Sequence, residues 1–139
     1  GEAKVLAQSH ADLLRHRLLN GNRPVALLSG GESTVTLPGA GGRGGRNTEY
    51  LLALGLALQD LNNVYAIACD TDGIDGTEDN AGAVWTPDTL SRAQTLGMDG
   101  HHFLSCHDAY VFFQALGDLV TTGPTRTNVN DLRIVLSLG

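Results

Sequence analysis

Between Pro38 and Asn47 the chain reads Gly39-Ala40-Gly41-Gly42-Arg43-Gly44-Gly45-Arg46, five glycines and two arginines leading into a stretch with helical periodicity. Glycine lets backbone N–H groups approach an anion closely, and the first amides of a helix add positive potential. Guanidiniums supply directed donors. The chemistry implied is oxyanion binding, of phosphate or carboxylate, with Gly44, Gly45 and Asn47 framing the loop and Arg43 and Arg46 as its cations. A hairpin tip would use the glycines equally well, but a turn has no need of two arginines three apart at a helix entrance.

A second group follows the apolar run Val64 to Asp70, where Thr71-Asp72-Gly73-Ile74-Asp75-Gly76 places carboxylates at the carboxyl end of a buried strand. Open α/β sheets bind their ligands at that edge. Asp72 and Asp75 have the chemistry to hold Mg²⁺ or to act as a base toward a hydroxyl. Ile74 occupies a position where an EF-hand needs an oxygen ligand, so that motif is excluded. The competing reading is a turn rich in Asp and Gly for backbone reasons alone. Ser29-Gly30-Gly31-Glu32 lies at the same edge if its strand runs with the second. Its glycines leave room for a ligand and Glu32 offers an acceptor, although a plain turn with one exposed acid fits as well. In the last loop Thr125, Thr127, Asn128, Asn130 and Asp131 suit substrate hydroxyls or a carboxylate, or else cap their own turns.

Some matches lead nowhere. Gly39-x-Gly41-x-x-Gly44 fits the dinucleotide fingerprint literally, yet Pro38 intervenes after the strand and Gly45-Arg46 delay the helix. It keeps a nicotinamide-dependent enzyme as an alternative. A Walker A loop is absent, because the only lysine is Lys4. His101, His102 and His107 with Cys106 match no zinc spacing and are expected on the surface. His10 and His16 fall in the first helix and need no role, and Ser29 is not in a nucleophile elbow.

The elements that must position these groups alternate. Glu2 to Leu19 carries Leu6, Leu13, Leu14 and Leu18 at helical spacing and stops at Asn20-Gly21-Asn22. Val25 to Ser29 reads as a buried strand and Thr34 to Leu37 as another. Asn47 caps a helix to about Leu61, with Glu49 favoured by the dipole of its first turn, and Val64 to Asp70 is the next strand. Ala81 to Trp85 is a strand, Thr86-Pro87-Asp88 opens a helix ending at Gly97, and Asp108 caps a helix to Leu116. Leu119 to Thr121 and Leu132 to Leu138 complete the strands. The alternation predicts an α/β fold, a layered α/β/α domain with a mixed, largely parallel sheet.

Composition bounds the function. The 139 residues suit one domain, 1–139, with 1–23 as a leading helix and connection. Nine Lys+Arg against fifteen Asp+Glu, a formal net charge of −6, exclude a broad basic surface for nucleic acid. No run approaches the roughly 18 apolar residues of a membrane span. The opening residues lack the pattern of a secretory leader, and Cys69 and Cys106 form neither a disulfide framework nor a metal pattern, so the expected location is cytoplasmic.

Taken together, Leu28 to Thr36, then Gly44-Gly45-Arg46-Asn47, then Thr71 to Gly76, then Thr122-Gly123-Pro124-Thr125 with Thr127 to Leu132, closely resemble the MOFRL domain. That is the C-terminal domain of type II glycerate kinases, some of which carry the name hydroxypyruvate reductase. The resemblance implies transfer of the γ-phosphoryl group of ATP to a hydroxyl of D-glycerate, with Mg²⁺, in a cleft shared with an N-terminal kinase domain absent from this chain. It implies Arg46 and Asp72 as catalytic residues. It puts Gly30, Gly31, Glu32, Arg43, Gly44, Gly45, Asn47, Asp75, Thr125, Asn128 and Asn130 near phosphate or substrate, and Asp72 and Asp75 near the metal. Ser33, Thr48 and Arg126 depart from the usual pattern, which has Thr, Gln and Gly there. The alternatives are an NAD(P)-dependent hydroxypyruvate reductase and a non-catalytic ligand-binding or interface domain. A homodimer is a further expectation, since a face built to meet another domain is also able to self-associate.

Overall fold

The first helix buries alanines more than leucines. In α1 (Ala3–Leu19) the buried side chains are Ala3, Ala7, Ala11 and Leu14, a stripe of small residues at helical spacing that lets α1 lie close against the second helix. Leu13 and Leu19 are exposed. The computed structural model describes residues 3–21, 24–30, 45–70, 81–121 and 131–138. Within them follow β1 (Val25–Gly30), α2 (Arg46–Ala57), β2 (Val64–Asp70), β3 (Gly82–Trp85), α3 (Thr89–Thr95), α4 (Gly100–Ser105), α5 (Ala109–Leu116), β4 (Leu119–Val120) and β5 (Asp131–Ser137). The expected strand over Thr34 to Leu37 lies outside the described residues.

The sheet runs β1-β5-β2-β3-β4, and every pairing in it is antiparallel. The expectation of a largely parallel sheet is therefore corrected. The helix between β1 and β2 suggested a parallel βαβ unit, but β5, last in the chain, enters between those two strands and pairs with both. β1 and β2 still run in the same direction, so Gly30 and Asp70 do share one edge of the sheet. β1 is an edge strand whose residues alternate between part-buried and exposed, not a buried one.

A layered α/β/α arrangement is not what the described residues form. One face of the sheet, with Val64, Ala66, Ala68, Trp85 and Val135, is buried in the core with α1, α2 and α5. On the other face Ala26, Leu28, Tyr65 and Leu132 are exposed and Ile67, Ile134 and Leu136 are only part-buried. No described helix covers that apolar face. The core is centred on α2, ten of whose twelve residues are buried. Gly55 gives the Trp85 indole room against it, since a Cβ there would lie 2.4 Å from the ring.

Glycine ends two of the later helices. Gly97 (φ 73°) follows α3, with its N–H donating to the Gln94 carbonyl and that of Met98 to the Ala93 carbonyl, the paired bonds of a Schellman stop. Gly117 (φ 74°) follows α5. α3 starts at Thr89, after a turn in which the Thr89 N–H donates to the Thr86 carbonyl, a little later than the Thr86-Pro87-Asp88 pattern suggests. α4 was not expected from sequence; the Asp99 side chain caps it, accepting from the His101 N–H at 3.0 Å.

Beneath α1 the Tyr50 hydroxyl lies 2.7 Å from His10 Nδ1, with the two rings edge to face. Burial, helped by the Arg133 guanidinium, holds the His10 imidazole below its usual value, and burial pushes the Tyr50 phenol up. The lowered value favours the neutral imidazole near neutral pH, and His10 shares this hydrogen bond with the Tyr50 hydroxyl. A histidine with a lowered folded pKa stabilises most above its unfolded value of about 6.5 and loses that contribution as pH falls below it. Urea unfolding at pH 7.5 and 5.5 is expected to show an acid-side loss that shrinks in H10Q, whose amide can still accept from Tyr50. An unchanged pH dependence in H10Q would assign the loss to other groups.

Candidate active site

At the last rung of β2 and β5, Asp70 and Asp131 stand directly opposite each other on the helix-covered face. Their side chains are 4% and 0% exposed. Two adjacent carboxylates out of water repel and are costly to desolvate unless a cation joins them. That cation is Arg46, the first residue of α2. Its Nε donates to Asp131 Oδ2 at 2.7 Å and its Nη2 donates to Asp70 Oδ2. Asn47 adds a bond from Nδ2 to Asp131 Oδ1 at 3.0 Å. The Arg46 side chain as a whole stays 21% exposed.

The start of α2 explains why these two side chains reach inward. Gly45, not Asn47, is the N-cap, in an extended conformation (φ −102°, ψ 178°). Its N–H donates to Thr48 Oγ1 at 3.2 Å, the reciprocal half of a capping box, which a cap without a side chain cannot complete. Asn47 is drawn into the helix and spends its amide on Asp131. Thr48 thereby does a capping job of its own.

The first turns of α2 are polar and yet buried. Glu49, expected in the first turn as a dipole-favoured acid, is 2% exposed and its Oε1 lies 2.5 Å from His107 Nδ1. His107 is correspondingly not a surface histidine. It is buried in the α4–α5 junction with a left-handed φ of 53°, where it ties that junction to α2, while His101 and His102 are exposed. Arg133, on the same face as Asp131 and two residues along β5, is 2% exposed with its guanidinium 5.3 Å from the centre of the Tyr50 ring. Sequence reasoning missed Arg133. Its alternation with apolar neighbours reads equally as a solvent-facing position, and only the identity of the covered face settles the matter.

One rung of the sheet joins Gly30, Leu132, Cys69, Gly82 and Val120. Just beyond it the Asp70 N–H donates to the Ala81 carbonyl at 2.8 Å and the Ala81 N–H to the Val120 carbonyl at 2.7 Å. The described residues that flank segments 31–44, 71–80 and 122–130 therefore gather at one edge. Of the residues expected in the site, Gly30, Gly45, Arg46 and Asn47 are brought to this edge. Gly31, Glu32, Arg43, Gly44, Asp72, Asp75, Thr125, Asn128 and Asn130 lie outside the described residues. Among the described residues no group of His, Cys, Asp and Glu is arranged to hold a metal ion.

Residues 25–131 match the MOFRL family. The chain belongs to that family. This MOFRL domain is 51% identical over 140 residues to an Agrobacterium vitis protein provisionally named hydroxypyruvate reductase, covering 98% of the chain and 32% of the relative. It is 42% identical over 122 residues to human glycerate kinase, covering 83% of the chain and 23% of that protein. The crystal structure of glycerate kinase from Thermotoga maritima superposes with a TM-score of 0.89 at 35% identity, over 98% of the chain and 33% of that structure. The MOFRL chain thus spans about a third of the length of the Agrobacterium vitis proteins it matches.

Proposed function

We propose that this MOFRL domain forms one wall of the active site of a longer ATP-dependent D-glycerate kinase. The observation that carries the reading is Arg46, a partly exposed arginine side chain fixed at the sheet edge where the loops expected to meet ligand are attached. Phosphoryl transfer depends on positioning and charge neutralisation more than on covalent chemistry. Arg46, with the amide of Gly44 and the side chain of Arg43, meets phosphate, while Gly45 and Asn47, whose N–H and side-chain amide are spent on Thr48 and Asp131, shape the turn beside it. Asp72 faces the attacking glycerate hydroxyl. Gly31, Glu32, Thr125, Asn128 and Asn130 complete the substrate side.

Mg²⁺ belongs with Asp72 and Asp75. The described carboxylates at the edge, Asp70 and Asp131, already carry a guanidinium, which would repel a divalent ion placed between them. When bound, the ion neutralises phosphate charge. The domain's own part is to hold Arg46 and to shape the edge. We place the protein in the cytoplasm; among the described residues no helix is long and apolar enough to cross a membrane. The partner domain of the longer protein covers the open apolar sheet face, and a homodimer through that face is the alternative.

The reductase reading needs the glycine fingerprint to lie between adjacent parallel strands, and among the described residues every strand pairing is antiparallel. Assay of the full-length protein separates the readings. ATP-, Mg²⁺- and D-glycerate-dependent formation of phosphoglycerate is expected, with the 139-residue chain inactive alone. Oxidation of NAD(P)H with hydroxypyruvate and no phosphoryl transfer would reverse the assignment. Sedimentation of the same samples is expected to show self-association of the short chain and not of the full-length protein.

A further inference from the structure

We infer that Asp131 is the positioning residue of this site, setting Arg46 and Asn47 jointly before any ligand arrives. The inference rests on the proposed kinase function for its catalytic consequence and on the geometry alone for the clamp. With a side chain 0% exposed, Asp131 does not meet a ligand itself. Its two oxygens are divided between consecutive residues of α2, Oδ2 taking Arg46 Nε at 2.7 Å and Oδ1 taking Asn47 Nδ2 at 3.0 Å.

Binding through Nε matters. A guanidinium gripped only by a terminal nitrogen can still swing about its last torsions. One held at Nε by Asp131 and at Nη2 by Asp70 has its plane fixed by two strands at once. An arginine carries about 2 kcal/mol of side-chain conformational freedom, and here the fold restricts it in advance of binding. Asp70 is the weaker candidate for the same role, since it bonds Arg46 without reaching Asn47 in the described contacts. The burial of Asp131 also prevents Arg46 from leaving toward a ligand, because departure would strip a buried carboxylate of its cation.

The test uses the full-length protein as wild type, D131N, R46K and the double variant. Asparagine keeps the size of Asp131 but loses its charge and presents an amide N–H₂ to one of its two donors. D131N is expected to lower kcat about 10- to 100-fold while KM for ATP and glycerate changes less than about 3-fold, as misplacement of a catalytic group does. In the R46K background, where the Nε donor is gone, D131N should add less than about 2-fold, because it acts through Arg46. A loss that multiplies fully in the double variant, or a kcat unchanged in D131N, overturns the positioning role.

A readout independent of activity tests the clamp. The Arg46 Nε–H proton, observed by ¹⁵N-edited NMR, is expected to be resolved and slow to exchange in wild type and to be lost in D131N. Its persistence in D131N overturns the clamp. A wild-type protein that phosphorylates no glycerate would remove the proposed function, and the NMR result would still decide whether Asp131 holds Arg46.

Discussion

Arg46→Ala is expected to lower the stability of the domain by about 3–5 kcal/mol, the cost of leaving buried ionic partners uncompensated, before any effect on catalysis is counted. Asp70 and Asp131 are almost wholly out of water, and Arg46 is the cation bonded to both. Domains of this size have only about 5–15 kcal/mol in total, so the variant should melt roughly 10 °C or more below wild type. R46A/D131A should recover part of that loss, because the second change removes the carboxylate stranded by the first. In the full-length protein R46A should also reduce phosphoryl transfer by about 10³-fold or more, the scale on which a transition-state arginine acts. Thermal melts and turnover at a temperature where both proteins are folded separate the two effects. A melting change under about 2 °C would mean that the carboxylates do not depend on Arg46, and the account of the sheet edge would have to be abandoned.

Gly82→Ala is expected to be as damaging without touching any charge. A Cβ at Gly82 would lie 1.9 Å from the Ala68 carbonyl oxygen and 2.7 Å from Cys69 Cα, both backbone atoms of the paired strand β2. Neither can step aside as a side chain could, so β2 and β3 must separate at the rung next to Asp70. Overpacking of this kind costs about 1–3 kcal/mol where side chains give way, and a backbone obstacle puts G82A at or above the top of that range. Because the rung leads directly to Asp70, the Arg46–Asp70 bond should loosen as well. Hydrogen exchange is expected to speed up at Asp70 and Ala81, whose amides bond across this edge. A variant with wild-type melting and exchange would show that the strands accommodate the methyl group.

The legibility of the chain differs by element for physical reasons. β2 runs from Val64 to Asp70 as its apolar alternation and polar end require, and α1 ends at Leu19 where Asn20 and Gly21 stop it. Local patterns of that kind carry their own boundaries. Strand direction is not local: the order β1-β5-β2 depends on which strand is inserted last, and a helix between two strands says nothing about an intruder that starts only at Asp131. Gly45, Arg46 and Asn47 stand out in the sequence because a glycine run with arginines is unusual at a helix entrance, and Gly30 because a glycine pair follows an apolar strand. Asp131 appeared only as one more polar residue of a loop, and Asp70 only as the last residue of a strand, because nothing local announces that they pair with each other. Glu49 and His107 escaped for the same reason, being 58 residues apart and each unremarkable on its own.

The place of β5 also governs when the sheet can exist. β1 and β2 have no bond to each other; both wait for a strand that is made after every other described element. During synthesis the helices and the β2–β3 pair can form early, but β1 lacks β5, its partner among the described strands, until residues 131–137 emerge. Such long-range closure is slow and leaves apolar strands open to wrong partners in the meantime. The same strand that delivers Asp131 to Arg46 is thus the one that joins β1 to β2, so the Arg46 clamp and this sheet close in a single late event.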